Sequence, residues 1–164
     1  MQKRFTARKP TGWEGVEPEG YVPGGPSKVV RHTLVGSRKA TPADPGPDLE
    51  VRYFEVPPGA ETRLEKHEHE HFVIVGEGVG QAIVGEEVRE VRVRDVVYVA
   101  PLQPHQFVNR GSEKFGFFCV VSAHRDIAQT LDPAELAALL ASPAGAVANP
   151  QVAPPPRPSV ASEA

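Results

Sequence analysis

A single cysteine, Cys119, stands among the 164 residues, which excludes an intramolecular disulfide and any zinc site built from thiolates. A metal, if there is one, must be held by imidazole and carboxylate. No Lys/Arg-rich run occurs, and a formal net charge of -3 with a pI near 6.1 gives no electrostatic basis for binding nucleic acid. No helix-turn-helix pattern is present either. No stretch approaches the roughly 20 apolar residues of a membrane span, and the start MQKRFTARKPTGWEG lacks the apolar run of a secretory signal. These absences lead us to expect an unprocessed cytoplasmic chain in a reducing compartment. Its partners would be a small-molecule substrate and a second copy of itself, with no nucleic acid and no membrane. With 40% apolar residues, the chain has material for one domain and its extensions, and no room for a second.

Along the chain, residues 1–27 are rich in Gly, Pro and charge, with Trp13 and Tyr21 as large aromatic anchors, and read as an N-terminal arm. Residues 28–125 carry short β-like runs, VVRHTLVG, LEVRYFEV, HFVIVGEG, GQAIVG, VREVRVRDVVYV, HQFVN and FGFFCVV, separated by Gly, Pro and acidic turn signals. That spacing predicts an all-β sandwich or barrel. Residues 126–142 form a helical segment: in LDPAELAALLAS, Asp132 is placed to cap, Pro133 opens the first turn and Glu135 completes a capping box. The helix is expected to cover one edge of the barrel. Residues 143–164, Ala/Pro-rich with hardly a large apolar side chain, are expected to be a disordered tail.

The stretch Glu65 to His71 reads EKHEHEH, with Glu65, His67, His69 and His71 at alternate positions. On one straight strand the outer two would lie roughly 20 Å apart, whereas two ligands of one ion sit about 3 Å from each other. A reversal around Glu68 to Glu70 removes the conflict. Glu65 and His67 then share one strand face, His71 opens the next strand beside them, and His69 falls in the turn, exposed or supporting. The metal set so formed is Glu65, His67 and His71, and the best fourth ligand is His105 in APLQPHQFVN. The competing interpretation of KHEHEH is a solvated charged strand that collects metal adventitiously.

These residues resemble a known pair of motifs. The stretch from Gly59 through Glu65, His67 and His71 to Gly78 follows the spacing of the first cupin motif, G-x5-H-x-H-x3/4-E-x6-G, and Arg94 through His105 to Asn109 follows the second, G-x5-P-x-G-x2-H-x3-N. The resemblance implies a cupin double-stranded β-helix, a jelly-roll barrel, with one divalent transition metal in its mouth on three histidines and one glutamate. Glu65 stands at the usual first His and His71 at the usual Glu, so the ligand count survives with positions exchanged. Arg94, Ala100 and Leu102 replace Gly, Pro and Gly, which questions the local turn, since side chains disfavour positive φ. The combination of strands is also similar to a subgroup of small bacterial cupins that includes manganese-dependent S-methyl-1-thioxylulose 5-phosphate methylthiotransferases.

Such a site, holding Mn, Fe, Ni, Co or Zn, with manganese expected first, leaves coordination positions open for a substrate. The expected function is a metal-dependent enzyme acting on a small polar metabolite such as a phosphosugar or keto compound. Its reaction would be of isomerase, lyase or methylthiotransferase type, without redox change at the metal. The alternatives are an iron dioxygenase and a non-catalytic metabolite- or metal-binding cupin. Two further residues are candidate catalytic groups: Arg63, on the face of Glu65 and His67, for a phosphate or carboxylate, and Cys119, on the strand FGFFCVV, for thiol chemistry. Their competing roles are a rim salt bridge and a core residue. Phe107 is expected in the core and Asn109 in turn support, with His32 and His124 structural. A homodimer is expected, paired through the arm and VVRHTLVG.

Overall fold

The computed structural model describes residues 6–21, 28–36, 46–124 and 127–151. The described residues form nine strands, one α-helix and a closing 3-10 turn: β1 Glu19–Gly20, β2 Val30–Val35, β3 Leu49–Val56, β4 His71–Glu77, β5 Val79–Val84, β6 Glu87–Arg92, β7 Val96–Val99, β8 His105–Val108, β9 Phe115–Ser122, α1 Pro133–Ala141 and the 3-10 helix Pro143–Ala146. They form a six-stranded sheet in the order β1-β2-β3-β9-β4-β7 and a three-stranded sheet in the order β6-β5-β8. All pairings are antiparallel, and β3 runs along β9 over its full length from Leu49↔Ser122 to Val56↔Phe115. The segment before β4 lies against β8 through bridges at Glu61↔Val108 and Glu65↔His105, which widens the smaller sheet.

Period-two alternation explains the layering. Phe54 and Val56 of β3, Val73 and Val75 of β4, Ala82 of β5, Phe107 of β8, and Phe115, Phe117 and Val121 of β9 all point between the sheets and form the main core. Residues one step out of phase, Ile83 and Val108, face the other side of the smaller sheet. There they join Leu64, Leu139 and Ala144 in a second cluster. The C-terminal helix therefore covers a sheet face and not the edge expected from sequence. Its start is as expected: the Asp132 side chain accepts from the Ala134 and Glu135 amides, Glu135 closes the capping box, and Pro133 opens the helix. Glu135 also pairs with Lys66 Nζ at 2.5 Å, tying the helix to the segment that carries Glu65 and His67.

Two further expectations are corrected. The run VREVRVRDVVYV is two strands in different sheets: the chain turns at Val93–Asp95, where the Asp95 carboxylate accepts from the Arg92 amide. The segment after Ser142 is ordered as far as Gln151. Asn149 donates its amide to Gln106 Oε1 and its side chain to Glu61 Oε1, and its carbonyl accepts from Gln106 Nε2, bonds that add to the packing of Ala144, Val147 and Ala148 on the second cluster. The remaining tail, 152–164, lies outside the described residues, as do positions 1–5 and 22–27 of the arm. The described arm is packed down: Trp13 meets Tyr53 and Phe118 edge-on, Tyr21 meets Phe54, and β1 pairs with β2.

The substituted motif turns keep glycine-like backbones. Arg94 has φ 79° and Leu102 has φ 61°, so both adopt the left-handed conformation despite their side chains. Where glycine remains it is required: a Cβ on Gly78, φ 69°, would meet the Lys114 carbonyl oxygen at 2.2 Å. Among the described residues no helix is long and apolar enough to cross a membrane.

Candidate metal centre and its cavity

Two backbone features bring the first motif onto the second. Glu65 and His105 exchange both main-chain hydrogen bonds, Glu65 N to His105 O at 3.2 Å and His105 N to Glu65 O at 2.9 Å, so their side chains leave the sheet side by side. The left-handed turn at Leu102 aims its amide at the His67 carbonyl. The chain then reverses beyond His67, and β4 begins at His71. The result brings Glu65, His67 and His105 into one group and places His71 beside His67.

All four are buried, each at most 7% exposed. His67 Nε2 lies 3.3 Å from Glu65 Oε1, close to the about 3 Å that separates two ligands of one ion. The His71 ring centroid is 4.9 Å from that of His67 and 4.8 Å from that of His105. His105 Nδ1 sits 3.0 Å from the Gln103 carbonyl oxygen, an acceptor that requires the proton on Nδ1 and leaves the Nε2 lone pair free. His67 Nδ1, His71 Nε2 and Glu65 Oε2 are buried without hydrogen-bond partners. Partnerless imidazole nitrogens and a carboxylate oxygen buried in one cluster of potential ligands are what a divalent cation satisfies, so these residues fit a metal.

The electrostatics agree. Burial pushes the His105 imidazole down to about 4, against a smaller opposing pull from Glu65. Burial, reinforced by His105 and His67, holds His71 far below the ordinary histidine range. Burial alone would raise Glu65, but its hydrogen bond to His67, the charges of His67 and His105, and the Tyr21 hydroxyl bring it down to about 2. Neutral imidazole beside ionised carboxylate is the protonation state a metal needs.

His69 lies in the turn, half-buried, as expected, and it also comes close to the cluster. Its ring lies 4.5 Å from His67 and 4.8 Å, stacked, from His71, and potential ligand atoms of His67, His69 and His71 all fall within 4.8 Å of one another. Glu65, His67 and His105 form the other such group. The turn at Glu68 to Glu70 is tight enough to fold His69 back over the cluster, which strand parity alone does not reveal.

The cluster opens into a cavity also lined by Tyr21, Arg31, Arg52, Arg63 and Cys119. Cys119 belongs to the apolar core and borders the cavity, with His71 Nδ1 at 3.3 Å from its sulfur and Arg52 Nη2 at 3.4 Å. Arg63 reaches in with its Nε 3.9 Å from Glu65 Oε2 and its guanidinium over the Tyr21 ring. Phe107 is core and lines the cavity. Asn109 bonds the Val56 and Glu113 carbonyls and receives the Gly111 amide. His32 is buried against Tyr53, and His124 is exposed. Sequence reading missed Tyr21, whose hydroxyl donates to Glu65 Oε1 at 2.6 Å, and Arg31 and Arg52. The inward parity of Arg52 with Phe54 was the available signal.

With fold and site in view, comparison with known proteins is informative. Residues 52–121 match the family described as Cupin domain. The chain is 37% identical over 135 residues to 1-methylthio-D-xylulose 5-phosphate methylsulfurylase of Rhodospirillum rubrum, covering 80% of this chain and 82% of that protein. Among solved structures, a cupin-2 domain protein from Rhodospirillum rubrum superposes with a TM-score of 0.72 at 35% identity, over 88% of this chain and 93% of that one. A cupin 2 conserved barrel domain protein from Rhodopseudomonas palustris gives a TM-score of 0.68 at 37% identity, over 81% and 90%. Strand order, motif spacing and these likenesses agree, and the chain belongs to the cupin family.

Proposed function

We propose that this protein is a metal-dependent enzyme that transfers the methylthio group of a 1-methylthio ketose 5-phosphate to a thiol. The observation that carries this reading is the placement of Cys119 against His71 in a cavity shared by the metal centre and Arg63. The similarity to a methylsulfurylase acting on such a phosphosugar supports it.

Glu65, His67, His71 and His105 would hold one divalent ion, manganese first. The ion's contribution is Lewis-acid polarisation of the substrate carbonyl. Tyr21 holds Glu65 in place through its hydroxyl. Arg63 receives the phosphate as a fork of N–H donors. Cys119 acts as the accepting thiol: its sulfur attacks the methylthio sulfur, the C1–S bond breaks with its electron pair left on C1, and the thiol proton ends on C1. The carbon is reduced to a methyl ketone while two sulfurs become a mixed disulfide. A low-molecular-weight thiol then exchanges with that disulfide, taking the methylthio group and restoring Cys119. Phe107 and Phe117 supply an apolar part of the cavity wall.

The test is incubation of manganese-loaded protein with 1-methylthio-D-xylulose 5-phosphate and dithiothreitol, followed by mass spectrometry of the sugar and of intact protein. Loss of the methylthio group from the sugar is expected, with a methylthio adduct on Cys119 when the thiol is limiting. Turnover unchanged in Cys119→Ser would remove Cys119 from the chemistry. Absence of turnover with stoichiometric iron bound and oxygen consumed would replace this reaction with a dioxygenase.

A further inference from the structure

We propose that Arg31, Arg52 and Arg63 together form an anion subsite in the cavity, suited to the phosphoryl group of a phosphate monoester. The inference rests on the phosphosugar reading above and extends it to two residues, Arg31 and Arg52, that no motif marks. Arg31 on β2 pairs with Phe54, Arg52 lies two residues before Phe54 on β3, and Arg63 lies two residues before Glu65. Arg31 and Arg52 project to the inner side by strand parity, and all three line the cavity of the metal centre.

Their polar atoms are incompletely satisfied. Arg52 is 6% exposed, and the Nε atoms of Arg31, Arg52 and Arg63 are all buried with no hydrogen-bond acceptor. The remaining contacts are partial. Arg31 Nη2 pairs with Glu19, Arg52 Nη2 reaches the Cys119 sulfur at 3.4 Å, and Arg63 Nη2 reaches the Tyr21 carbonyl at 3.3 Å. Arg52 and Arg63 also stack over Phe54 and Tyr21 at 5.3 and 5.0 Å, which fixes their planes.

Guanidinium groups cannot shed their charge, so burying them with idle N–H donors is costly unless an acceptor arrives. A group with several anionic oxygens supplies acceptors to more than one of them at once, which a neutral sugar hydroxyl cannot do. Glu65 and Glu50 place negative charge near Arg63 and Arg52. Glu65, however, is committed to His67 and Tyr21, and its Oε2 stands 3.9 Å from Arg63, beyond hydrogen-bond reach.

The experiment is calorimetric titration with inorganic phosphate, D-xylulose 5-phosphate and D-xylulose of the manganese-loaded wild type, Arg31→Gln, Arg63→Gln and Arg52→Lys, and of His105→Ala as the metal-depleted form. The subsite requires that both phosphates bind and that the unphosphorylated sugar binds at least tenfold more weakly. It also requires about tenfold weakening in Arg63→Gln and Arg52→Lys, and retention within about twofold in His105→Ala. The side chains of Arg31 and Arg63 are 20% and 21% exposed, so their variants test the idea even if Arg52→Lys fails to fold. Phosphate affinity unchanged across the arginine variants overturns the subsite. Affinity lost in His105→Ala but kept in those variants places the anion on the metal instead and also overturns it. Arginine-dependent phosphate binding without methylthio turnover would sink the reaction proposed above and leave the subsite standing. Turnover with a KM insensitive to the arginines would do the reverse.

Discussion

Glu65 and His105, from separate motifs, are direct partners in an antiparallel bridge with both main-chain hydrogen bonds made. That pairing fixes the distance between a carboxylate and an imidazole before any metal arrives, and the Gln103 carbonyl and the Tyr21 hydroxyl then orient each side chain. A preformed set of this kind loses little conformational entropy on binding an ion.

Metal content should follow the bridge. We expect about one divalent ion per chain by elemental analysis of untagged protein, and its loss in His105→Ala with the fold retained by circular dichroism. His69→Ala should keep the ion, since Glu65, His67, His71 and His105 still supply four donors. Full metal retention in His105→Ala would refute the assignment.

The hydroxyl of Tyr21 gives a finer test. Tyr21→Phe removes one charge-assisted hydrogen bond to Glu65 and keeps the ring against Phe54. Metal affinity, measured by competition with a chelator, should fall about tenfold, in the range found for groups that orient ligands. The melting temperature of the metal-free protein should change little.

Stability and metal binding should both decline on acidification below about pH 6.5. His105, lowered to about 4, and His71, lowered further, are neutral when folded and take up protons when unfolded. The unfolded chain thus binds more protons between the unfolded value and the folded one, and each pH unit in that window costs about 1.4 kcal/mol per histidine. Above pH 7 their contribution is fully present. Glu65, lowered to about 2, acts only further down: its contribution is complete above the ordinary carboxylate range and vanishes as pH falls through 2. Urea titrations at a series of pH values check this, and a flat profile from pH 7 to 5 would contradict it.

Restoring the motif glycines should stabilise the protein. Arg94 and Leu102 carry left-handed backbones, a cost of about 1–2 kcal/mol each, against about 0.5–1 kcal/mol for the extra freedom of glycine when unfolded. Leu102 is 49% exposed, so little packing is lost. Leu102→Gly and Arg94→Gly should each gain about 0.5–1 kcal/mol in denaturant unfolding.

Association remains a proposal: light scattering at micromolar concentration should give twice the chain mass. Among the described residues β1 pairs with β2 at Arg31 and Val30, and the remainder of β2 is the edge proposed to meet a second copy. A monomer at those concentrations rules the dimer out.

The sequence by itself determined most of the strands, because period-two patterning and turn residues act locally, although the break between β6 and β7 and the pairing of β1 were not legible in it. β3 and the capping box at Asp132 fall where composition and spacing put them. It also determined the metal-ligand candidates, because motif spacing encodes a strand reversal. What only the tertiary structure decided came from contacts between distant segments. Tyr21 reaches Glu65 because the arm packs on Phe54, and Arg31 and Arg52 reach the cavity because β2 and β3 form its wall. His69 joins its neighbours through the curvature of a turn that parity does not describe. Asn149 orders a Pro-rich segment through Gln106, a partner that composition cannot name. Local rules fix which way a side chain leaves the backbone, and the packing of sheets, arm and helix decides what it meets.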